Sequence, residues 1–318
     1  MLGAMGSDRR HYLGYFADSA RWDAVTLRPG DVVVTTPSKS GTTWTQLIVA
    51  MLLHRSTELP APLSELSPWV DAQVRSTDDL VALLGAQPHR RVMKTHTPLD
   101  GIPVAPQVTY LAVFRHPLDV ALSDKDHAAN MTDHVHAVRW EAVGAKDLDD
   151  LEIRPPRPDD PAEHLRAFID GPLTFTGGGP YSLVETTDQL RHAWALRHEP
   201  NVHLVHYADL LADLSGEMRR IAAAIDVDTE GLPWDDLVAA ATFDSMRTRA
   251  SDLAPEAGHQ IWHEDGAFFR RGGRRNWAEL LAPDEVAAFE ARTAELAGSD
   301  AAAWLLAGRA SGVDPRSP

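Results

Sequence analysis

The chain has 318 residues, of which 44% are hydrophobic, so it is long enough to bury a substantial core. Its 46 acidic and 30 basic residues give a formal net charge of -16, which argues against a general nucleic-acid-binding protein and requires any anion site to be local. Cysteine is absent, which excludes a disulfide framework and a thiol nucleophile.

The chain also lacks the patterns that address a protein to a membrane. No apolar run approaches the roughly 18 residues needed to cross a bilayer, and the N-terminal stretch lacks the apolar core of a secretory signal. We therefore expect a cytoplasmic protein without an integral membrane segment. We expect one domain over 1–318. Small and polar residues at both ends predict that 1–9 and 308–318 are flexible.

Four short β-rich runs alternate with helical patterns along the chain. They lie at residues 32–36, 91–96, 108–115 and 202–207, and each is followed by a turn or a helix start. This alternation predicts an α/β fold, a parallel sheet flanked by helices. Ligands of such sheets bind beyond the carboxyl ends of the strands, so the polar motifs that follow the runs should meet at one edge.

The first motif, PSKSGTTW at 37–44, directly follows the first predicted strand. Apolar spacing predicts a helix over 43–54, which places Ser40, Gly41 and Thr42 at its positive end, where free amides bind anions. Gly41 permits close approach of a ligand to the backbone, while Lys39 and the hydroxyl of Thr43 add polar contacts. The alternative is an ordinary turn in which Ser or Thr caps the helix.

The order of residues in this motif distinguishes it from the nucleotide triphosphatase loop. That loop places lysine after its second glycine, whereas Lys39 precedes Gly41 and no second glycine lies upstream. A kinase or triphosphatase that uses magnesium is therefore the second interpretation. Phosphate or sulfate is the expected guest in both.

The second motif, RVMKTHTP at 91–98, ends the second predicted strand. Lys94 and His96 share one face because side chains alternate along a strand. Beside an anion site, His96 is a candidate general base, since an ordinary pKa near 6.5 suits removal of a hydroxyl proton at neutral pH. The alternative is a structural histidine at a strand end.

The third motif, RHPLDVALS at 115–123, joins the third strand to a helix. Arg115 and Ser123 are candidates to bind a second phosphate, and Asp119 is interpreted as a carboxylate near the helix start without a catalytic role. A salt bridge at the sheet edge is the alternative for Arg115.

A fourth motif, FFRRGGRRNW at 268–277, places four arginines within six residues of an acidic chain. Most charge runs are solvated surfaces. Two central glycines favour an anion-binding loop instead, because they let backbone amides and guanidinium groups surround a ligand.

Together these motifs resemble the cytosolic-type sulfotransferases that use 3′-phosphoadenosine 5′-phosphosulfate (PAPS), with bacterial glycolipid or aryl sulfotransferases as the nearest kind. PSKSGTTW resembles the 5′-phosphosulfate loop, RHPLDVALS the 3′-phosphate motif, and RRGG at 270–273 the C-terminal nucleotide loop. KTH at 94–96 stands where the family has its catalytic lysine and histidine. The resemblance spans most of the chain and implies a single P-loop-containing, sulfotransferase-like domain.

The resemblance implies transfer of a sulfuryl group from PAPS to a hydroxyl, with release of 3′-phosphoadenosine 5′-phosphate (PAP). His96 would be the base, with Lys39 at the leaving phosphate and Lys94 at the sulfonate. No metal is expected, because cations of the chain supply the countercharge. The implied nucleotide-binding residues are Lys39, Ser40, Gly41, Thr42, Thr43, Trp44, Arg115, Ser123, Tyr207, Thr242, Phe243, Met246, Phe269, Arg270, Arg271 and Gly272.

The chain departs from the family pattern at three places. Asp124-Lys125-Asp126 follows Ser123 where many relatives have a tyrosine or phenylalanine pair, and this stretch is expected to face the acceptor. Arg275-Asn276-Trp277 stands where the family has Gly-Asp-Trp, and the family's dimerisation segment is not recognisable, so no oligomeric state is predicted. The acceptor, a small-molecule hydroxyl compound of aryl or glycolipid type, is expected to lie against 63–87 and 124–181. A nucleotide-binding protein without catalysis is the remaining alternative.

Overall fold

The chain is described from a computed structural model over residues 9–144, 157–175, 181–253, 261–269 and 276–317. Within these ranges one parallel sheet has the strand order β2-β1-β3-β4. The strands are β1 (Val32–Thr35), β2 (Val92–Thr95), β3 (Thr109–Phe114) and β4 (Val202–His206). Each lies inside one of the four predicted runs, which confirms the α/β fold.

Helices surround this sheet. The first α-helix begins at Thr42, within one residue of the start predicted for the helix over 43–54. Short 3-10 helices cover Ser19–Ala24, Leu99–Gly101, Asp265–Phe269, Trp277–Glu279 and Gly308–Ser311. The α-helices are α1 (Thr42–His54), α2 (Leu63–Leu66), α3 (Thr77–Ala86), α4 (Pro117–Asn130), α5 (His134–Val143), α6 (Pro161–Asp170), α7 (Leu183–Ala195), α8 (Tyr207–Ala212), α9 (Leu214–Ala224), α10 (Trp234–Ala240), α11 (Phe243–Thr248), α12 (Ala250–Leu253), α13 (Pro283–Ala297) and α14 (Ser299–Ala307).

The valines of β1 show how the sheet is covered on both faces. Val32 and Val34 pack into a core with α1, α9 and α10, whereas Val33 packs on the opposite face with α3, α7 and α14. All four residues of β1 are buried. A strand covered on both faces is apolar throughout, which explains the run of three valines.

The carboxyl ends of the strands meet at one edge, as predicted. Each strand is followed there by a polar or aromatic residue: Thr36, His96, Arg115 and Tyr207. Residues 68–70 extend this edge, because the Val70 amide donates to the Lys94 carbonyl at 3.0 Å. The sheet therefore aims all four segments at a common space.

The C-terminal segment, where the sequence predicts a flexible end over 308–318, contacts the start of β4 in the residues that the structure describes. Gly308–Ser311 forms a 3-10 helix, and the Arg316 guanidinium donates to the backbone carbonyls of Val202 (2.7 Å) and Glu199 (3.1 Å). These contacts attach the segment to the start of β4. Residues 1–8 of the predicted N-terminal end lie outside the described ranges. Among the helices that are described, none is long and apolar enough to cross a membrane.

Candidate active site

The loop between β1 and α1 has the backbone conformation of an anion-binding turn. Lys39 and Gly41 both have positive φ, 64° and 104°, and α1 starts at Thr42 without a side-chain cap. A Cβ added to Gly41 would lie 2.9 Å from the Tyr207 ring. Glycine is therefore required there both by the left-handed conformation and by the close approach of Tyr207.

The hydroxyls of this loop show which groups remain available to a ligand. The Thr36 and Thr42 hydroxyls bond to each other at 2.6 Å, whereas the fully buried Ser40 hydroxyl has no hydrogen-bond partner among the residues that the structure describes. A buried hydroxyl without a partner is costly, and the uncapped amides of α1 lie in the same turn. The oxygens of a phosphosulfate fit this donor set.

His96 is held in a defined tautomer at the end of β2. Its Nδ1 donates to the Thr36 carbonyl oxygen at 2.8 Å, and because a carbonyl can only accept, Nδ1 carries the proton in the neutral ring. Nε2 then carries the lone pair. The ring is only 8% exposed and packs edge-on against Trp69, with centroids 4.8 Å apart.

The surroundings of His96 favour its neutral form. Burial and the nearby ammonium group of Lys94 lower its pKa, the hydrogen bond to Thr36 opposes this shift, and Lys39 lowers the pKa further, to about 3. The imidazole is therefore neutral at physiological pH and able to accept a proton.

Lys94 lies on the same side of β2 as His96, as the alternation predicted. Its Nζ is 4.7 Å from the centroid of the Trp69 ring. Trp69 thus contacts both members of the pair and is a shared support for them.

Lys39 extends across the cleft toward α4. Its Nζ lies 3.2 Å from Nδ1 of His127 and 4.4 Å from the centroid of the Phe268 ring. An ammonium group can only donate, so Nδ1 of His127 is the acceptor. In this state Lys39 bridges the anion-binding loop and the opposite wall.

Arg115 is buried between the loop and β4. Its Nη1 donates to the Lys39 carbonyl at 3.4 Å, and the guanidinium carbon lies 4.3 Å from the Tyr207 centroid. Asp119 is 3.8 Å from Nε, which agrees with its predicted structural role in the first turn of α4. A planar cation stacked in this way keeps the geometry that suits a phosphate.

One pocket collects most of the predicted site residues. Ser40 and Thr242 are not among its lining residues, and Thr242 caps α11 by accepting from the Ser245 amide. The predicted residues that line the pocket are Lys39, Gly41, Thr42, Thr43, Trp44, Lys94, His96, Arg115, Ser123, Tyr207, Phe243, Met246 and Phe269.

The arginine motif lies mostly outside the described residues, and this includes Arg270, Arg271 and Gly272. Its two flanks are described. Phe269 lines the pocket, and the Trp277 ring stacks on His116, with centroids 4.6 Å apart and planes at 10°. His116 directly follows Arg115 in the chain, so one flank of the motif lines the pocket and the other packs on the neighbour of Arg115.

A second part of the pocket is largely apolar and was only partly predicted. Trp69 and Met131 lie within the ranges expected to contact the acceptor, and both line the pocket. In the same ranges, Val70 is in the core, Phe175 lines a different pocket and Trp140 is exposed. Besides the predicted nucleotide contacts, the other apolar residues that line the pocket are Phe16, Leu63, Val74, Val135, Leu253, Ile261, Trp262 and Phe268.

Three residues after Ser123 were expected to face the acceptor, and one of them lines the pocket. Asp126 does so, while Asp124 binds Arg157 at 2.9 Å and Lys125 donates to the Pro158 carbonyl at 2.6 Å. Sequence reasoning missed His127 as a pocket residue. Its position four residues after Ser123, one helical turn further along the same face, was the available signal.

We find no group of three or more His, Cys, Asp or Glu side chains arranged to hold a metal ion in the part of the chain that the structure describes. Of the histidines near the site, His127 contacts Lys39 and His136 contacts the Tyr15 hydroxyl.

The fold and site define an α/β transferase with a built anion-binding loop. The chain matches the family model of the sulfotransferase domain over residues 29–299. It is 40% identical to a glycolipid sulfotransferase of Mycobacterium bovis and 41% identical to one of Mycobacterium tuberculosis, and each match covers 97% of both chains. The protein therefore belongs to the sulfotransferase family, as its motifs predicted.

A more distant relative also carries the name of a sulfotransferase, and two solved structures align with this chain. An amine sulfotransferase of Oryctolagus cuniculus is 24% identical over 84% of this chain and 81% of its own. Retinol dehydratase in complex with androsterone and PAP aligns with a TM-score of 0.63 at 21% identity, covering 91% of this chain and 89% of its own. Mouse sulfotransferase SULT7A1 complexed with PAP aligns with a TM-score of 0.61 at 18% identity, covering 94% of this chain and 99% of its own. These structures share the fold.

Proposed function

We propose that this enzyme transfers the sulfuryl group of PAPS to a hydroxyl of a small-molecule or glycolipid-like acceptor, with His96 as the general base. The observation that carries the proposal is the state of His96. Its Nδ1 is engaged by the Thr36 carbonyl and its pKa is lowered to about 3, so a neutral ring with a free Nε2 lines the pocket. This is the form that accepts a proton from an alcohol.

The cations of the pocket suit the charge that develops during transfer. Lys39 is assigned to the leaving phosphate and must exchange its contact with His127 for the bound anion, while Lys94 is assigned to the sulfonate oxygens. PAPS, when bound, supplies the sulfuryl group, and PAP is released. A bound anion would favour the imidazolium that proton transfer produces on His96, because the two charges have opposite sign.

The nucleotide would lie across the strand ends. Ser40, Gly41, Thr42 and Thr43 are assigned to the 5′ end, and Arg115, with Ser123 on α4, to the 3′-phosphate. The adenine is assigned to Trp44, Tyr207, Phe243 and Met246, which line the same pocket. PAP in two solved structures of this fold supports the assignment.

The acceptor is assigned to the apolar part of the pocket, next to His96. Trp69, Trp262 and Phe268 offer aromatic faces there, which suit a phenolic ring or the apolar part of a glycolipid. The two mycobacterial relatives named as glycolipid sulfotransferases support the second type of acceptor.

The test is a PAPS-dependent sulfation assay over phenols, steroids, free sugars and glycolipids, with and without a magnesium chelator. We expect a sulfated product and stoichiometric PAP, unaffected by the chelator. ATP turnover that requires magnesium, without any response to PAPS, would support a kinase or triphosphatase instead. PAP binding without turnover on every acceptor would support a protein that retained only the nucleotide site.

Two broader features are also proposed. We place the catalytic function in one domain over the whole chain, supported by the family match over 29–299, and we place the enzyme in the cytoplasm, supported by the absence of cysteine.

A further inference from the structure

Side chains of residues 94–97 alternate between two surroundings. Lys94 and His96 line the pocket, whereas the hydroxyls of Thr95 and Thr97 both donate to Oδ2 of Asp71. The alternation follows from the period of two in an extended chain. A contact that holds the side chains of Thr95 and Thr97 therefore also fixes the direction in which the side chains of Lys94 and His96 point.

Asp71 is completely buried and has no place in the proposed reaction. Burial raises its pKa, and the hydrogen bonds from Thr95 and Thr97 oppose that rise. The bonded threonines are also tied to each other, since the Thr97 amide donates to the Thr95 hydroxyl at 2.9 Å. One carboxylate oxygen thus holds the two residues on either side of His96.

The same segment that carries Asp71 also supports the catalytic side chains from the pocket side. Trp69, two residues earlier, contacts Lys94 at 4.7 Å and His96 at 4.8 Å. The segment is anchored at both ends by backbone bonds, from Val70 to Lys94 (3.0 Å) and from Asp18 to Asp71 (2.8 Å). Trp69 and Asp71 thus contact residues 94–97 on opposite faces of the strand end.

We propose that Asp71 is a positioning residue, which acts through Thr95 and Thr97 to aim His96 and Lys94 at the reacting atoms. The inference rests on the proposed role of His96 as the base. A carboxylate oxygen serves here because it accepts two hydroxyl bonds at one point, which fixes the register of the strand end. A displacement of about 1 Å at a reacting group can cost about 10²-fold in rate, so the effect belongs in turnover.

The experiment measures kcat and PAP affinity for Asp71→Ala, Asp71→Asn and Thr97→Val. We expect Asp71→Ala to lose about 10²-fold in kcat. PAP affinity should be retained, because the residues assigned to the two phosphate groups of PAP follow β1 and β3 and not β2. Asp71→Asn keeps a carbonyl oxygen for the hydroxyls and should retain most of the turnover. If Asp71→Ala does not fold, Thr97→Val removes one bond at constant side-chain size and should still lower kcat.

A double-mutant cycle separates positioning from general destabilisation. Because Asp71 acts in part through His96, Asp71→Ala should cost clearly less turnover in the His96→Ala background than in the unaltered protein. The matched control is Asp31→Asn, which alters a buried carboxylate at the other end of the sheet and should lower stability without lowering kcat.

The outcomes distinguish this proposal from the function on which it rests. Normal turnover of His96→Ala would remove the general base itself. Collapse of turnover in His96→Ala, together with normal turnover in Asp71→Ala or Thr97→Val, would overturn only the positioning role. Additive losses in the cycle, or losses in PAP affinity that match the losses in kcat, would also overturn it.

Discussion

The two ends of the sheet hold charge in different ways. At the amino end, Arg91 Nε donates to Asp31 Oδ1 at 2.9 Å, with side chains only 3% and 2% exposed. The Arg28 amide donates to the same carboxylate at 2.7 Å. At the carboxyl end, Lys39, Lys94 and Arg115 each contact an aromatic face at 4.3 to 4.7 Å.

This difference separates the scaffold from the site. Breaking a buried and hydrogen-bonded ion pair costs about 3–5 kcal/mol, because it leaves a buried charge without its partner. A cation over an aromatic ring gains about 0.5–2 kcal/mol, which an incoming phosphate can outcompete. Variants at the amino end should therefore change stability, and variants at the carboxyl end should change binding and turnover.

The largest expected effect is at the carboxyl end. His96→Ala should lower kcat by about 10² to 10⁴, the usual contribution of a general base, with little change in PAP affinity. Steady-state sulfation and calorimetric PAP titration would measure both. The matched control is His164→Ala, since His164 is also buried and bonds a carbonyl, that of Ala121 at 3.0 Å, but lies on α6.

The comparison would fail if the control behaved like the site variant. His164→Ala should keep its kcat even if it is less stable. Near-normal turnover in His96→Ala would show that the neutral imidazole at the strand end is structural.

The next effect is expected at the amino end. Arg91→Ala leaves the Asp31 carboxylate buried without its guanidinium and should lower the free energy of unfolding by about 3–5 kcal/mol. Denaturant titration would measure it. At a temperature where the variant is folded, kcat should be unchanged. Reduced turnover without reduced stability would show that the two ends of the sheet are coupled.

Prediction from sequence succeeded where local patterns determine structure. The valines of β1 and the apolar spacing of α1 fix a buried strand and a helix, and glycine at position 41 fixes the turn between them. The sheet topology then brings His96 and Arg115 to the same edge without any further information.

Contacts between distant segments were beyond such patterns. Lys39 meets His127, 88 residues later, because the loop after β1 and helix α4 line the same pocket. Asp71 meets Thr95 and Thr97 across 24 and 26 residues, and no sequence period connects them. The Asp31–Arg91 pair depends on the register that places Val32 opposite Val92.

A smaller effect should separate binding from chemistry within the carboxyl end. Arg115→Ala should weaken PAP binding by about 1.5–3 kcal/mol, since hydrogen bonds to charged groups contribute this much. Arg115→Lys keeps the charge but loses the planar fork and the stacking on Tyr207, so its affinity should be intermediate. Calorimetry with PAP and with the nucleotide lacking the 3′-phosphate would measure the change.

The Arg115 variants should lose the preference for the 3′-phosphate and keep most of the affinity for the shortened nucleotide. If the unaltered protein bound both nucleotides equally, Arg115 would belong with the structural cations of the amino end.

The smallest effect concerns Asp209, which lies beside the site, two residues after Tyr207, and accepts from the Arg309 amide at 3.0 Å. Burial raises its pKa to about 6, although Arg220 opposes the rise. Because the folded pKa exceeds the unfolded value of 3.8, the folded state disfavours the charged carboxylate, and this group lowers stability as pH rises from about 4 to about 6.

Asp209→Asn should remove that loss. The gain of the variant over the unaltered protein should therefore grow between pH 4 and 6 and then stay constant, within about 1 kcal/mol because the group is only partly buried. Denaturant midpoints at four pH values would measure it, with PAP affinity unchanged. A pH-independent difference would mean that the hydrogen bond to Arg309, rather than the charge, sets the contribution of Asp209.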